Sequence, residues 1–324
     1  MKKIRINFVD RGGSFNPNKS IIYKLLNNKY SVEISQDPEY LFIGSVGNEH
    51  LKYDCLKIAT CGENIHPDFN FFDYAIGFDY MDFGDRYHRI PLFVFYQAYD
   101  ECQDEKTKIS NEKLLNRKFC SFVVSNDGGN PLRQAFFEAL SKYKKVDSGG
   151  RWLNNIGLPP GKGVPNKLEF CSQYKFNIAF ENSDTLGYTT EKLVEPLSIH
   201  SIPIYWGNPL VSRDFSPNCF LQLKDYNDIS RIVTEVAKLD QDDEAYLQMC
   251  NASRFACENA KKYRIELADF LYYIIEQPYN TARRINKYGY QINYRSKITK
   301  SIELYDKLVK IKRVFRNPLF VFYK

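Results

Sequence analysis

The sequence predicts an α/β protein of two facing Rossmann-like domains followed by a basic amphipathic helical tail. Three observations carry that expectation. Short apolar runs of strand length alternate with helix-period segments and polar, glycine-containing loops, the pattern of sheets covered by crossover helices. One stretch, FNIAFENSDTLGYTTEKLVEPLSIHSIPIYWGNP (Phe176–Pro209), spells strand, loop, helix and strand, a complete right-handed βαβ unit. Charge is unevenly divided. Of 45 Lys+Arg and 39 Asp+Glu, residues 281–324 hold 12 and 2, so the tail is net +10 and the preceding 280 residues are net −4.

Along the chain, Ile4–Val9 reads as a strand, and Asn18–Tyr30 as a helix through Ile21, Ile22, Leu25 and Leu26. Tyr40–Ile43, Leu56–Thr60 and Tyr74–Phe78 are further strands, and Pro91–Tyr96 is an apolar, aromatic run. The charged, aperiodic Asp100–Lys118 suits a linker, giving a first domain over residues 1–115. The second domain, 116–278, opens with a strand at Phe119–Val124. Asn130 and Pro131 then fit the N-cap and first position of an amphipathic helix, Leu132–Tyr143, with Arg133 in its first turn. Val146–Gly161 reads as loop. After the central stretch come a strand at Phe220–Leu223 and helices at Asp228–Leu239, Glu244–Lys262 and Ile265–Ile275. Residues 279–324 form the tail.

No run of eighteen apolar residues exists, so no membrane-spanning helix is expected. The N-terminal MKKIRINFVD lacks the apolar core of a signal peptide. The eight cysteines show neither CxxC pairs nor zinc-ligand spacing, which fits a reducing compartment. The acidic body argues against nucleic-acid binding.

The central βαβ unit predicts the site. A ligand sits at the carboxyl end of the strand, facing the helix N-terminus, where free N–H groups and the helix dipole favour an anion. Thr189 and Thr190 fit as caps. Lys192 adds positive charge in the first turn, where the dipole ordinarily disfavours it. Glu191 can take paired hydroxyls, and Asn182 adds an amide. Tyr188 is placed in the same pocket. The combination points to a nucleotide-sugar site.

The same stretch resembles glycosyltransferase family 10, the α1,3/α1,4-fucosyltransferases, and its bacterial members above all. Phe176, Phe180, Glu181, Asn182, Gly187, Tyr188, Thr190, Glu191, Lys192 and Ile202–Gly207 fall on the family's donor-site signature. The resemblance runs from about Lys57 to Ile275. It implies the GT-B architecture, with the donor GDP-fucose on the second domain and the acceptor and catalytic base on the first. It implies inverting α1,3 transfer of L-fucose to the GlcNAc of an N-acetyllactosamine-type acceptor, for a lipopolysaccharide or other surface glycan. Inversion in one step needs a base opposite the leaving group and positive charge on the departing diphosphate.

Glu63, in the loop CGENIHPDFN, matches the family's catalytic glutamate. On residue chemistry alone Asp68, Asp73 and Asp79 are alternatives. Arg151 is similar to a family arginine at the diphosphate or fucose, and Arg133 is a second possible anion ligand. No metal or other cofactor is expected, since Lys, Arg and a helix N-terminus can supply the electrostatics. α1,4 specificity, another nucleotide-sugar donor and a non-enzymatic binding module are the competing readings. The tail, with LYDKLVKIKRVF and the aromatic LFVFYK, reads as an anchor on an anionic membrane surface. That makes the expected location the cytoplasmic face of the membrane.

Overall fold

The computed structural model describes residues 1–103 and 109–316. Its first sheet contains β1 (Lys3–Val9), β2 (Ser31–Ile34), β3 (Tyr40–Ile43), β4 (Leu56–Thr60), β5 (Tyr74–Gly77) and β6 (Tyr87–Arg89). They run parallel in the order β2-β1-β3-β4-β5-β6. Ile4, Ile6 and Phe8 alternate into the core along β1, while every residue of β3 and β5 is buried, as a sheet covered on both faces requires. α1 (Ile21–Asn27) lays Ile22 and Leu26 on it. That helix is shorter than the predicted Asn18–Tyr30, because Asn16 caps a separate turn at Pro17–Lys19 and Ser20 is extended.

α2 (Gln97–Gln103) and α3 (Asn111–Leu115) occupy much of the stretch expected to be a linker. Cys102 and Leu114 are buried there, so these two helices pack on the body where a solvated linker was expected. Residues 104–108 of that stretch lie outside the described residues.

The second sheet contains β7 (Lys118–Phe122), β8 (Val146–Ser148), β9 (Tyr174–Phe180), β10 (Ile202–Trp206) and β11 (Leu221–Gln222), parallel in the order β11-β10-β9-β7-β8. Between them lie α4 (Leu132–Tyr143), α5 (Lys167–Cys171) and α6 (Glu191–Ser198), followed by α7 (Ile229–Gln241) and α8 (Asp243–Cys250). β8 falls in the stretch expected as loop, pairing Val146 with Cys120. The helix expected at Glu244–Lys262 ends at Cys250. From there the chain leaves the helix, Phe255 bridges to Phe215, and the Ala256 amide donates to the Asp214 carbonyl.

α9 (Tyr263–Glu276) lies in the range predicted for the second domain but packs on the first sheet, its Phe270 against Tyr74 and His88. The halves are also latched at Arg89. Its guanidinium grips Asp214 through both oxygens, at 3.0 and 2.7 Å, and Tyr263 donates to the same carboxylate at 2.6 Å. Gly187 marks a second seam. Its φ is +83°, and a Cβ there would overlap the Phe78 carbonyl oxygen, so only glycine fits.

α10 (Tyr279–Ala282) leads to the tail helix α11 (Tyr290–Arg316). The tail touches the first half where Asn48 donates to Asp306 at 2.7 Å and Arg295 donates to the Asn70 carbonyl at 3.2 Å. Leu304, Leu308 and Ile311 are exposed. The other tail side chains from Lys310 on, including those of Leu319–Lys324, lie outside the described residues. Among the described residues, no helix is long and apolar enough to cross a membrane.

Candidate active site

Numbered within each sheet, the strand order is 2-1-3-4-5 in both halves, with a sixth strand added at the edge of the first. In such sheets the connections diverge between the first and third strands, and ligands bind in the crevice beyond their carboxyl ends. In the second sheet this point lies between β7 and β9. A cavity of about 580 Å³ opens there, walled by Val124–Asn126 beyond β7 and Asn182 beyond β9. Arg151, Lys167 and the first turns of α6 also line it, and Tyr96 reaches in from the first half.

The floor of the site is a buried polar cluster. Thr190 caps α6, as the sequence predicts, and its hydroxyl donates to Glu181 while accepting from the Lys192 amide at 3.4 Å. Glu181, fully buried, also accepts from the Thr190 amide at 2.8 Å. The Lys192 ammonium stands 3.3 Å from Glu181 and 3.2 Å from Glu191. Burial opposes its charge, but the two carboxylates outweigh burial and hold its pKa above the ordinary value. Burial likewise pushes the Glu181 carboxyl up, against the pull of Lys192. For Glu191 the balance reverses: burial is overcome by Lys192 and Lys167, and its pKa falls.

The predicted donor residues separate in position. Arg151, Asn182, Glu191 and Lys192 all line the cavity. Arg151 is exposed and makes no ion pair among the described residues, so it is the cation most open to a ligand. Asn182 accepts a hydrogen bond from Arg133. Arg133, also on the wall, is 1% exposed and donates to the Phe180 and Glu181 carbonyls at 3.2 Å each, so most of its donors hold the end of β9. Tyr188 lies outside the cavity lining. Its ring is buried against Phe78 of the first half, in a cluster with Cys61 and Leu92, because the turn at Gly187 folds the chain onto that seam. Its phenol still feels Glu181, Lys192, Glu63 and Glu191.

Glu63 stands on the exposed loop beyond β4, and its carboxylate makes no hydrogen bond or ion pair among the described residues. Its neighbour Asn64 donates to Ser183 and, at 2.7 Å, to Thr185, which ties the Glu63 loop to the loop that follows β9. The alternative acids are otherwise engaged. Asp73 is buried and accepts amides from Lys57, Arg284 and Ile285. Asp68 closes the turn at Asn70, and Asp79 pairs with His66 at 2.6 Å.

Three wall residues escape the sequence reading. Glu195 lies one turn beyond Glu191 on α6 and pairs with Lys167 at 2.7 Å. The spacing of EKLVE carries that signal, since residues four apart share a helix face. Lys167 has no comparable signal, because α5 is only five residues long. Tyr96, whose phenol is pushed up by burial and by the nearby Glu191 carboxylate, sits at the end of an aromatic run that reads equally well as core. Among the described residues, no group of His, Cys, Asp and Glu could hold a metal ion. The one Asp-x-Asp triplet near a helix end, at 240–242, is used elsewhere: Asp240 pairs with Lys144, and Asp242 caps α8.

Two parallel sheets, each with its own switch point and the second with a cavity lined by Arg151, Lys167 and Lys192, are the two Rossmann-like halves of the GT-B architecture. The comparisons agree. Residues 6–96 match the model for the alpha-(1,3)-fucosyltransferase FucT N-terminal domain, and residues 114–269 match glycosyltransferase family 10 (fucosyltransferase) C-term. Alpha-(1,3)-fucosyltransferase FucT of Helicobacter pylori is 35% identical over 282 residues, which cover 75% of this chain and 58% of that protein. GDP-fucose protein O-fucosyltransferase 3 of Xenopus tropicalis is 33% identical over 175 residues, 50% of this chain and 37% of the relative. The chain therefore spans well under two thirds of these relatives' length. A crystal structure of an alpha1,3-fucosyltransferase with GDP-fucose superposes with a TM-score of 0.71 at 28% identity, covering 86% of this chain and 92% of that one. The chain belongs to glycosyltransferase family 10.

Proposed function

We propose that this protein transfers L-fucose from GDP-β-L-fucose to the 3-hydroxyl of GlcNAc in an N-acetyllactosamine-type acceptor, inverting the linkage to α, in the synthesis of a lipopolysaccharide or other surface glycan. The observation that carries this reading is the cavity at the second switch point, where an unpaired arginine, a helix N-terminus and Lys192 converge. Family membership supports it, as do the relatives' names: an α-1,3-fucosyltransferase at 35% identity and a solved one with GDP-fucose.

In this reading the diphosphate lies between Arg151 and Lys192 at the start of α6. Glu191 accepts hydrogen bonds from the ribose, and the base lies toward Lys167 and Glu195. Glu63 takes the proton of the acceptor hydroxyl. That oxygen bonds to the anomeric carbon on the face opposite the diphosphate, and the carbon–oxygen bond to GDP breaks with its electron pair leaving on GDP. The anomeric carbon passes through oxocarbenium character, and the cations hold the charge that develops on the leaving group. They do so without an obligatory metal, so activity survives EDTA. A requirement for added Mg²⁺ or Mn²⁺ would overturn this point.

GDP release from GDP-fucose with N-acetyllactosamine tests the reaction. Wild type turns over, and Glu63→Ala and Lys192→Ala each lose roughly a hundredfold or more, the scale of a lost base or charge-stabilising group. An active Glu63→Ala moves the base to another carboxylate, and failure to bind GDP-fucose removes the donor assignment. NMR of the product linkage separates α1,3 from α1,4 transfer.

The tail is read as a peripheral anchor at the cytoplasmic face of the membrane. Its support is the exposed Leu304, Leu308 and Ile311, spaced along one side of a helix rich in Lys and Arg. Co-flotation with anionic vesicles, and none with zwitterionic ones, is the expected result. No nucleic-acid partner is proposed for the acidic body.

A further inference from the structure

The first sheet has a switch point of its own, between β1 and β3. Arg11 stands there, two residues beyond the end of β1. A cavity of about 190 Å³ opens beside it, with Lys19, Thr60, Gly62, Phe95 and Tyr96 on its wall. Arg11 and Lys19 are the charged residues of that wall, and no acid lines it.

The guanidinium of Arg11 is held but not neutralised. It lies over the rings of Phe8 and Phe15, 5.8 and 5.1 Å from their centroids. One terminal nitrogen donates to the Thr60 hydroxyl, while Nε is buried without an acceptor. No carboxylate pairs with it among the described residues. Its neighbour Asp10 is turned away, accepting from the amides of Glu49 and His50 and pairing with the His50 ring. Burial lowers the Arg11 pKa to about 10, only partly offset by Cys61 and Asp10. A half-buried cation with no carboxylate partner among the described residues and an unsatisfied Nε is costly, and this one faces a cavity.

Two wall residues connect that cavity to the chemistry. Gly62 precedes Glu63, and Tyr96 also lines the 580 Å³ cavity of the second half. A group held by Arg11 therefore sits beside the place where acceptor and base would meet. The volume is several times the ~30 Å³ share of one water, room for a carboxylate and part of the ring that bears it.

We propose that Arg11 and the cavity at the first switch point form an acceptor-side anion subsite, which takes the carboxylate of an acidic sugar carried by the acceptor near the residue that receives fucose. This rests on the transferase reading above. A carboxylate matches the guanidinium fork with two parallel hydrogen bonds, which a sugar hydroxyl cannot do.

The test compares kcat/KM for N-acetyllactosamine and its sialylated form. Wild type favours the acidic acceptor. Arg11→Gln lowers the acidic-to-neutral ratio by roughly tenfold or more, the scale of one lost charge-assisted bond, with the loss in KM of the acidic acceptor. Arg11→Lys, which keeps the charge without the fork, restores part of the ratio. An unchanged ratio, or an equal loss with both acceptors, overturns the proposal. A second measurement needs no variant: calorimetry of wild type with GDP, titrated with methyl glucuronide or methyl glucoside. The glucuronide binds more tightly, and inorganic phosphate displaces it only at much higher concentration. Phosphate competing on equal terms would mark a site for free anions and overturn the acceptor assignment. Bound glucuronide without turnover of either acceptor would sink the transferase reading while leaving the carboxylate site standing.

Discussion

At the switch point of the second sheet, Glu181 is fully buried and satisfied by the amide and hydroxyl of Thr190, and Lys192 is held between Glu181 and Glu191. At the switch point of the first sheet, Arg11 lacks a counter-charge, and the nearby Glu63 stands exposed on a loop tethered through Asn64. The order of the first five strands is the same, so topology does not account for the contrast. Side chains do. Beneath the cavity of the second half, Glu181, Thr190, Lys192 and Glu191 pair with one another and leave Arg151 as the open cation, and such networks fix geometry before a ligand arrives. The first half leaves groups unpaired that a ligand must complete. On the proposed reaction, the second half is organised in advance for the donor, and the first leaves groups for the acceptor to complete.

The sharpest way to break this comparison is to remove the buried carboxylate. Glu181→Ala leaves Lys192 with one carboxylate, Glu191, and opens a void under α6. Turnover is expected to fall roughly a hundredfold or more, and stability by about 3–5 kcal/mol, as when one member of a buried pair is deleted. Glu181→Gln retains the hydrogen bond from Thr190 and should recover much of the stability but little of the turnover. Recovery of both would mean that the charge on Glu181 does not position Lys192. Denaturant melts and single-turnover kinetics separate the two effects.

Next in size is the latch between the halves. Asp214→Ala strands Arg89, whose guanidinium both carboxylate oxygens engage, and leaves the Tyr263 hydroxyl without its acceptor. A loss of about 3 kcal/mol or more is expected in urea, and the effect on GDP affinity should be small because the donor cavity lies elsewhere. A large loss of GDP affinity without a change in the melt would show that the latch sets the cleft rather than the fold. Asn64→Ala should do less. It removes two hydrogen bonds across the cleft, each worth about 1 kcal/mol, and should slow turnover by about tenfold while sparing GDP binding. An unaffected rate would detach the Glu63 loop from the donor loop.

The halves also differ in how much of them was legible in the sequence. The second is carried by β9, α6 and β10, whose apolar runs and cap match the expected boundaries closely, because a fully covered parallel strand leaves an unbroken hydrophobic run. The elements that escaped are edges or fragments. β2 is largely exposed, β6 is Tyr-His-Arg, and β8 is three residues long, so none presents an apolar run. In the second cavity, Asn182, Glu191 and Lys192 were legible because loop and helix start are contiguous with a strand, whereas Arg151 came only from the family resemblance. Lys167 and Tyr96 were not legible, since chain segments far apart in sequence bring them there. Arg11 was illegible for the same reason: its aromatic neighbours and its missing partner exist only in the folded first half.

The smallest expected effect is the most restrictive. If the donor wall is organised in advance, its charges should not change over the range where the protein works. The Glu191 pKa is lowered by Lys192 and Lys167 despite burial. Its ion-pair contribution is therefore present above the ordinary carboxylate value of about 4.3, and is lost only as pH falls through the lowered value. The Lys192 pKa is raised by Glu181 and Glu191 despite burial. Its contribution is complete below the ordinary lysine value of about 10.4, and is lost only as pH rises through the raised one. Glu181 alone moves toward neutrality, since burial raises it, and its protonation would loosen Lys192 from the acid side. GDP affinity measured by calorimetry should therefore be flat from about pH 7, where the terminal phosphate is already past its own ionisation near ~6, to about pH 9. It should weaken first on acidification. Turnover over the same range is free to vary, because the proposed mechanism puts the base and the acceptor on the other half. A proton-linked step in GDP affinity between pH 7 and 9 would show that the donor half, too, waits for its ligand to set its charges, and the contrast between the two switch points would fail.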